Sequence, residues 1–184
     1  MDKQRTSQGG KGMAAKVTKP VAKPAAARTP APAGDMLLLD NQLCFALYSA
    51  SLTMTKVYKP LLGALGVTYP QYLVLLVLWE RDELTVSEVG ERLYLDSGTL
   101  TPLLKRLESL GLIERRRAVQ DERQVLVSLS PEGKKLRQRA QAIPENLLCA
   151  AQCTVAEITD LTRKVRKLRG SLAQSVEAAA RAEN

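Results

Sequence analysis

The hydrophobic period of the chain changes at Gly111, and that change constrains the fold more than any other feature. Before it, "LTVSEVGERL" and "DSGTLTPLLKRLESLG" read as two amphipathic helices. Thr85 is placed to cap the first, with Glu88 completing a capping box and Leu84 and Val89 positioned as a hydrophobic staple. Asp96 opens the second, Gly111 stops it, and Leu100, Leu103, Leu104, Leu107 and Leu110 form one apolar stripe. After Gly111 the pattern is that of short strands: "LIERRRA" and "QVLVSLS", joined by "VQDER". Helical spacing resumes at "SPEGKKLRQRAQAIPENLLCAAQC", with Ser130 as cap and Pro131 at the first helical position.

Helix, short connection, helix, two-stranded hairpin is the order of a winged helix-turn-helix. The expected fold is therefore mainly α with a small β-hairpin wing, flanked by helices at both ends. Upstream, "MLLLDNQLCFALYSASLTMTKVYKPLLGALG" carries helical spacing from about residue 36 to 66. "TYPQYLVLLVLWE" follows, with Thr68 as cap and Pro70 in its first turn. Downstream, Pro144 should kink or break the helix that begins near 131. From about Thr154 the apolar residues Val155, Ile158, Leu161, Val165, Leu168, Leu172 and Val176 step by three or four, a seam for a partner helix. The DNA-binding part thus spans about 68–130, and the dimerisation helices about 36–66 and 131–180.

Composition excludes several classes. The chain of 184 residues has no histidine, which removes His-based zinc sites and catalytic triads. Its longest apolar run, Tyr72 to Trp79, is too short to span a membrane. Three cysteines and no secretory signal argue for a reducing cytoplasm rather than a secreted disulfide scaffold. No cofactor or metal is expected. The net charge of +8 is unevenly placed. Residues 1–34, rich in Ala, Pro and Lys, hold seven Lys/Arg against the single acid Asp2; residues 35–184 hold twenty against eighteen. The first segment is expected to be a disordered basic tail, a spacer more than a DNA-binding arm. Any nucleic-acid argument for 35–184 must rest on where its charges sit.

They sit well for a double-stranded partner. Opposite the leucine stripe, the second helix presents Ser97, Thr99, Thr101, Pro102, Lys105 and Arg106. Short hydroxyls permit close approach, and the cations suit phosphates or guanine edges. Pro102 implies a distorted first turn. At the hairpin tip Arg123 can enter a minor groove, with Asp121 bracing it or another wing arginine. Arg115, Arg116 and Arg117 add charge that is either phosphate-facing or simply solvated.

Together these residues resemble the MarR family of dimeric winged-helix regulators, over residues 36–180. The wing "DERQVLVSLSPEG" is similar to that family's D-x-R wing and following helix start. A narrower resemblance, carried by "LDNQLCFALYSASLTMTKVYKPLLGALGVTYPQYLVLLVLWE" and "LYLDSGTLTPLLKRLESLGLIERRR", is to the organic-hydroperoxide-sensing repressors, the OhrR branch. It implies that Cys44, beside the chain's only phenylalanine, Phe45, is the peroxide-reactive thiol. It implies that Tyr58 and Tyr69 from the partner subunit hydrogen-bond that thiol. It implies that Cys149 supplies the second thiol of an intersubunit disulfide, as in two-cysteine members, and it leaves Cys153 without a role. A homodimer on a two-fold operator, released by an organic hydroperoxide, is the implied mechanism.

Without the resemblance, Cys44 reads as a small buried hydrophobe. No cation stands near it in sequence except Lys56, and Asp40 lies one turn back. Three alternatives remain. A regulator of the same fold could sense a small phenolic ligand, with Cys44 as packing. A thiol peroxidase would leave the winged domain unexplained, so an enzyme is not expected. A DNA-coating protein is suggested only by the tail.

Overall fold

A computed structural model describes residues 36–118, 121 and 123–182. The tail expected at 1–34 lies outside the described residues. The chain divides into a unit ending at Gln42 and a unit from Leu43 onward. In the first, Leu39–Asn41 form a single 3-10 turn. The second contains seven helices among its described residues: α1 (Leu43–Gly63), α2 (Tyr69–Glu80), α3 (Val86–Leu93), α4 (Ser97–Ser109), α5 (Pro131–Ala140), α6 (Ile143–Ala151) and α7 (Val155–Ala182). Three strands, β1 (Leu84–Thr85), β2 (Ile113–Arg117) and β3 (Val125–Leu129), form an antiparallel sheet in the order β1-β3-β2.

The expected architecture is present, with two differences. The first helix begins at Leu43 rather than near Met36. Asp40 and Asn41 favour local turns over a helix interior, and they fall in the 3-10 turn. The wing hairpin pairs Ile113 with Leu129 through Arg117 with Val125, and gains a third strand where Leu84 and Thr85 pair with Val127 and Leu126. Of the kink or break expected at Pro144, the helix after the wing takes the break: α5 ends at Ala140 and α6 restarts at Ile143, with Pro144 in its first turn.

The caps behave as their residue types dictate. Thr85 Oγ1 accepts from the Glu88 N–H at 3.1 Å, and Glu88 Oε2 accepts from the Thr85 N–H at 2.8 Å. Gln71 returns the same favour to the Thr68 N–H at 2.8 Å. Ser130 is buried, accepts from the Gly133 N–H and donates its hydroxyl to the Gly111 carbonyl. This bond ties the end of β3 to the turn after α4. The same junction requires glycine at 133, because a Cβ there would stand 2.1 Å from the Leu112 carbonyl oxygen.

The core centres on α2, which buries Tyr72, Val74, Leu75, Val77 and Leu78 and packs against α1, α3, α4, α5 and β3. From α4 come Leu100, Leu104 and Leu107, each at most 1% exposed. Burial of each such leucine contributes about 1.5–3 kcal/mol. Trp79 closes the α2–α5 contact by donating from Nε1 to the Gly133 carbonyl at 3.0 Å. Two apolar surfaces stay uncovered. The first half of α1 exposes Leu43, Leu47, Tyr48, Leu52 and Met54, and α7, with no buried residue, exposes Val155, Leu161, Val165, Leu172 and Val176.

Candidate nucleic-acid interface and thiol centre

The end of α4 opposite its core leucines is held by its cap. Asp96 Oδ1 accepts from the Thr99 N–H at 2.8 Å, and the Thr99 hydroxyl donates to Asp96 Oδ2 at 2.9 Å. The bonds to Thr99 hold the Asp96 carboxyl below the usual carboxylate range. Thr101 donates its hydroxyl back to the Ser97 carbonyl at 2.6 Å. Both threonines keep lone pairs for an incoming donor. Ser97, Pro102, Lys105 and Arg106 are exposed, and Thr101 is half-buried. The distorted first turn expected from Pro102 is not observed. The helix runs unbroken from Ser97 to Ser109.

The wing brings Arg123 to this helix. A cleft of about 470 Å³ is lined by Thr85, Val86, Ser87, Thr101, Leu104, Arg115, Arg123, Gln124 and Val125. It thus joins the N-terminus of α3, one face of α4 and the wing tip. Asp121 does brace Arg123, through the backbone: its Oδ1 accepts from the Arg123 N–H at 3.0 Å, and its Oδ2 from Gln124 Nε2 at 3.2 Å. An aspartate that bonds the main chain two residues on is a turn-former. It shapes the tip and leaves the Arg123 side chain exposed.

Two of the three strand arginines are committed to acids. Arg115 donates from Nε and Nη2 to Glu108 Oε2, at 3.0 and 2.5 Å. That bond holds the Glu108 carboxyl below its ordinary range. Arg116 donates to Glu83 at 2.9 Å, while Arg117 is exposed at the strand end. Ser87 and Gln124 were missed by sequence reasoning. Ser87 was legible as an exposed hydroxyl in the first turn of a capped helix. Gln124 was not, because a glutamine in a hairpin tip carries no distinguishing signal.

The thiol residues occupy α1 and α6. Cys44 is exposed in the first turn of α1. A helix starting near Met36 would have put it mid-helix. Cys149 is exposed near the end of α6, and Cys153 is half-buried beyond it. Gln152 between them has φ 53°, which ends α6. The two cysteines therefore do not share a face of one helix. α6 packs against α1.

Tyr58 and Tyr69 meet. Their ring centroids lie 4.6 Å apart, tilted by 38°, with Tyr72 6.0 Å from Tyr58. Burial pushes the Tyr58 phenol up to about 12, with Tyr69 and Tyr72 adding to the shift. Burial also raises Tyr69. Both hydroxyls are protonated donors at neutral pH. Beside Tyr69, an apolar cavity of about 440 Å³ opens between α1 and α2, with Lys56 and Lys59 among its lining residues. Cys44 and Tyr58 are fourteen residues apart on one unbroken helix, hence about 21 Å apart along its axis. No side chain spans that distance, so the tyrosines cannot bond the thiol of their own chain. Among the described residues no cluster fits a metal ion, and no helix is long and apolar enough to cross a membrane.

Comparison with known proteins finds transcriptional regulators. A family model described as transcriptional regulator SarA/Rot matches residues 56–140. The organic hydroperoxide resistance transcriptional regulator of Bacillus subtilis is 59% identical over 114 residues, covering 62% of this chain and 78% of the relative. The crystal structure of AbfR of Staphylococcus epidermidis is 36% identical, with a TM-score of 0.63 over 74% of this chain and 94% of that one. The structure of reduced AbfR bound to DNA, also 36% identical, gives 0.58 over 73% and 95%. With the winged domain and this level of identity in agreement, the chain belongs to the MarR family of winged-helix transcriptional regulators, in its organic-hydroperoxide-regulator branch.

Proposed function

We propose that the protein is a homodimeric repressor that binds a two-fold DNA operator and releases it when an organic hydroperoxide oxidises Cys44. Reduced AbfR bound to DNA and the hydroperoxide-resistance regulator are the relatives that support this reading. The single observation that carries it is the separation of about 21 Å along α1 between Cys44 and Tyr58, whose ring meets that of Tyr69. A thiol centre made of Cys44, Tyr58 and Tyr69 is complete only across two subunits. The exposed apolar faces of α1 and α7 supply the surface that such a dimer would bury.

In the reduced state each subunit presents α4 to a major groove, with Ser97, Thr99, Thr101, Pro102, Lys105 and Arg106 facing the bases and backbone, and Arg123 reaching a flanking minor groove. The Cys44 thiolate attacks one peroxide oxygen. The O–O bond breaks, the alcohol leaves after taking a proton, and Cys44 becomes a sulfenic acid. The apolar cavity beside Tyr69, together with Phe45, suits a carbon-bearing peroxide better than hydrogen peroxide. The thiol of Cys149 of the partner subunit then condenses with the sulfenic acid, forming the S–S bond and losing water. Joining them draws helices out of their reduced positions, and the half-site spacing no longer fits. Cellular thiols restore the reduced dimer by exchange.

The test measures binding to a duplex that the reduced protein enriches from a randomised DNA pool, before and after cumene hydroperoxide, with a non-reducing gel in parallel. Release with a covalent dimer is expected. Release without thiol oxidation, or in Cys44→Ser, would instead favour a non-redox ligand.

A further inference from the structure

The long helix α7 touches the DNA-binding unit through a cation over a ring. The guanidinium carbon of Arg169 lies 4.4 Å from the centroid of Tyr94. Tyr94 ends α3 with φ 58°, the left-handed conformation that bulky side chains rarely adopt. Holding a tyrosine there costs backbone energy that asparagine or glycine would not. The ring is 67% exposed, so burial does little to offset that cost. Something other than local folding favours a large aromatic at this position.

The turn itself is clamped on its α3 side. The Leu95 N–H donates to the Gly90 carbonyl at 3.0 Å, and a Cβ on Gly90 would stand 2.8 Å from the Leu95 carbonyl oxygen. Asp96, two residues after Tyr94, caps α4. The ring thus stands two residues before the cap that bonds Thr99, and three before Ser97, at the start of α4. α7 is also the helix whose apolar residues await a partner subunit. The Arg169–Tyr94 contact therefore links the dimer-forming helix to the DNA-reading one.

We propose that Arg169 is a positioning residue for DNA binding: through the Tyr94 ring it holds the turn that launches α4, so that α7 sets where the recognition helix stands. This rests on the DNA-binding reading above and adds to it a residue that belongs to neither the wing nor α4. Asparagine tolerates the left-handed conformation, so Tyr94→Asn removes the ring without straining the turn. An exposed cation–π pair is worth about 0.5–1 kcal/mol, which converts to an affinity loss of about two- to fivefold for each subunit engaged.

The experiment measures affinity for the duplex that reduced wild-type protein enriches from a randomised pool, with thermal unfolding midpoints alongside. Tyr94→Asn and Arg169→Gln should each weaken binding by that factor without lowering the midpoint. Their double variant should be no weaker than either single one. Tyr94→Phe and Arg169→Lys, which keep a ring and a cation, should bind as wild type. Because Tyr94→Asn removes no charge, its loss cannot come from general attraction to phosphate. Additive losses, or wild-type affinity in both Tyr94→Asn and Arg169→Gln, would overturn the inference. A wild type that enriches no duplex would overturn the DNA-binding reading, and the inference with it.

Discussion

Removing one hydroxyl from the tyrosine pair tests the shared thiol centre directly. Tyr58→Phe and Tyr69→Phe keep the ring contact at 4.6 Å, so the packing between α1 and α2 survives. What is lost is one donor, and the upward shift of Tyr58 to about 12 means that it is a donor throughout the physiological range. A hydrogen bond to a charged group is worth about 1.5–3 kcal/mol. At about 1.4 kcal/mol per factor of ten in rate, each substitution should slow the peroxide reaction about ten- to a hundredfold. The assay is loss of the Cys44 thiol under excess cumene hydroperoxide, in a Cys149→Ser, Cys153→Ser background so that one thiol is counted. A mixed dimer sharpens the test. One chain carries Cys44→Ser with both tyrosines intact; the other keeps Cys44 and carries Tyr58→Phe and Tyr69→Phe. The separation of about 21 Å along α1 requires this dimer to react at the wild-type rate. A slow mixed dimer, or two single variants that react like the wild type, would refute the reasoning.

Arg123→Ala should weaken operator binding by about 1–3 kcal/mol in the reduced protein and lower the salt slope by roughly one; equal affinity by fluorescence anisotropy would remove the wing from the interface. Cys149→Ser should abolish the peroxide-induced covalent dimer on a non-reducing gel and expose Cys44 to sulfinic acid formation, whereas Cys153→Ser should change neither; the reverse pattern would assign the second thiol to Cys153. Glu108, depressed by Arg115, contributes stability above the ordinary glutamate range that is lost as pH falls through its lowered folded value. Thermal midpoints of the wild type should therefore drop in acid more steeply than those of Glu108→Gln, and parallel curves would show the Arg115 pair to be energetically idle.

Much of the fold was legible because its signals are local. The Thr85–Glu88 box, the Ser130–Pro131 start and the leucine stripe of α4 each depend on residues within a turn or two. β1 was not legible, since two residues define no period, and Leu84 and Thr85 already served as staple and cap. The start of α1 was misjudged because Leu37, Leu38 and Leu39 extend the apolar pattern while Asp40 and Asn41 interrupt it. That error hid the first-turn position of Cys44. Pairings distant in sequence were beyond reach for a different reason. Nothing near Arg169 marks Tyr94 as its neighbour, and nothing near Glu108 reserves Arg115. The approach of Tyr58 to Tyr69 was expected only through the family resemblance.

The short helix α6 has a dynamic consequence. It has nine residues, buries only Ile143, and is bounded by the break after α5 and the left-handed Gln152. A helix of that length is unstable alone in water, and one buried side chain adds little to hold it. Its amides should therefore exchange with deuterium well before those of α2 or α4, through an opening that leaves the core intact. Cys149 rides on a segment that opens at little cost. Under the mechanism proposed above, its approach to a sulfenic acid would begin as a local melting of two turns, with the rest of the subunit still folded.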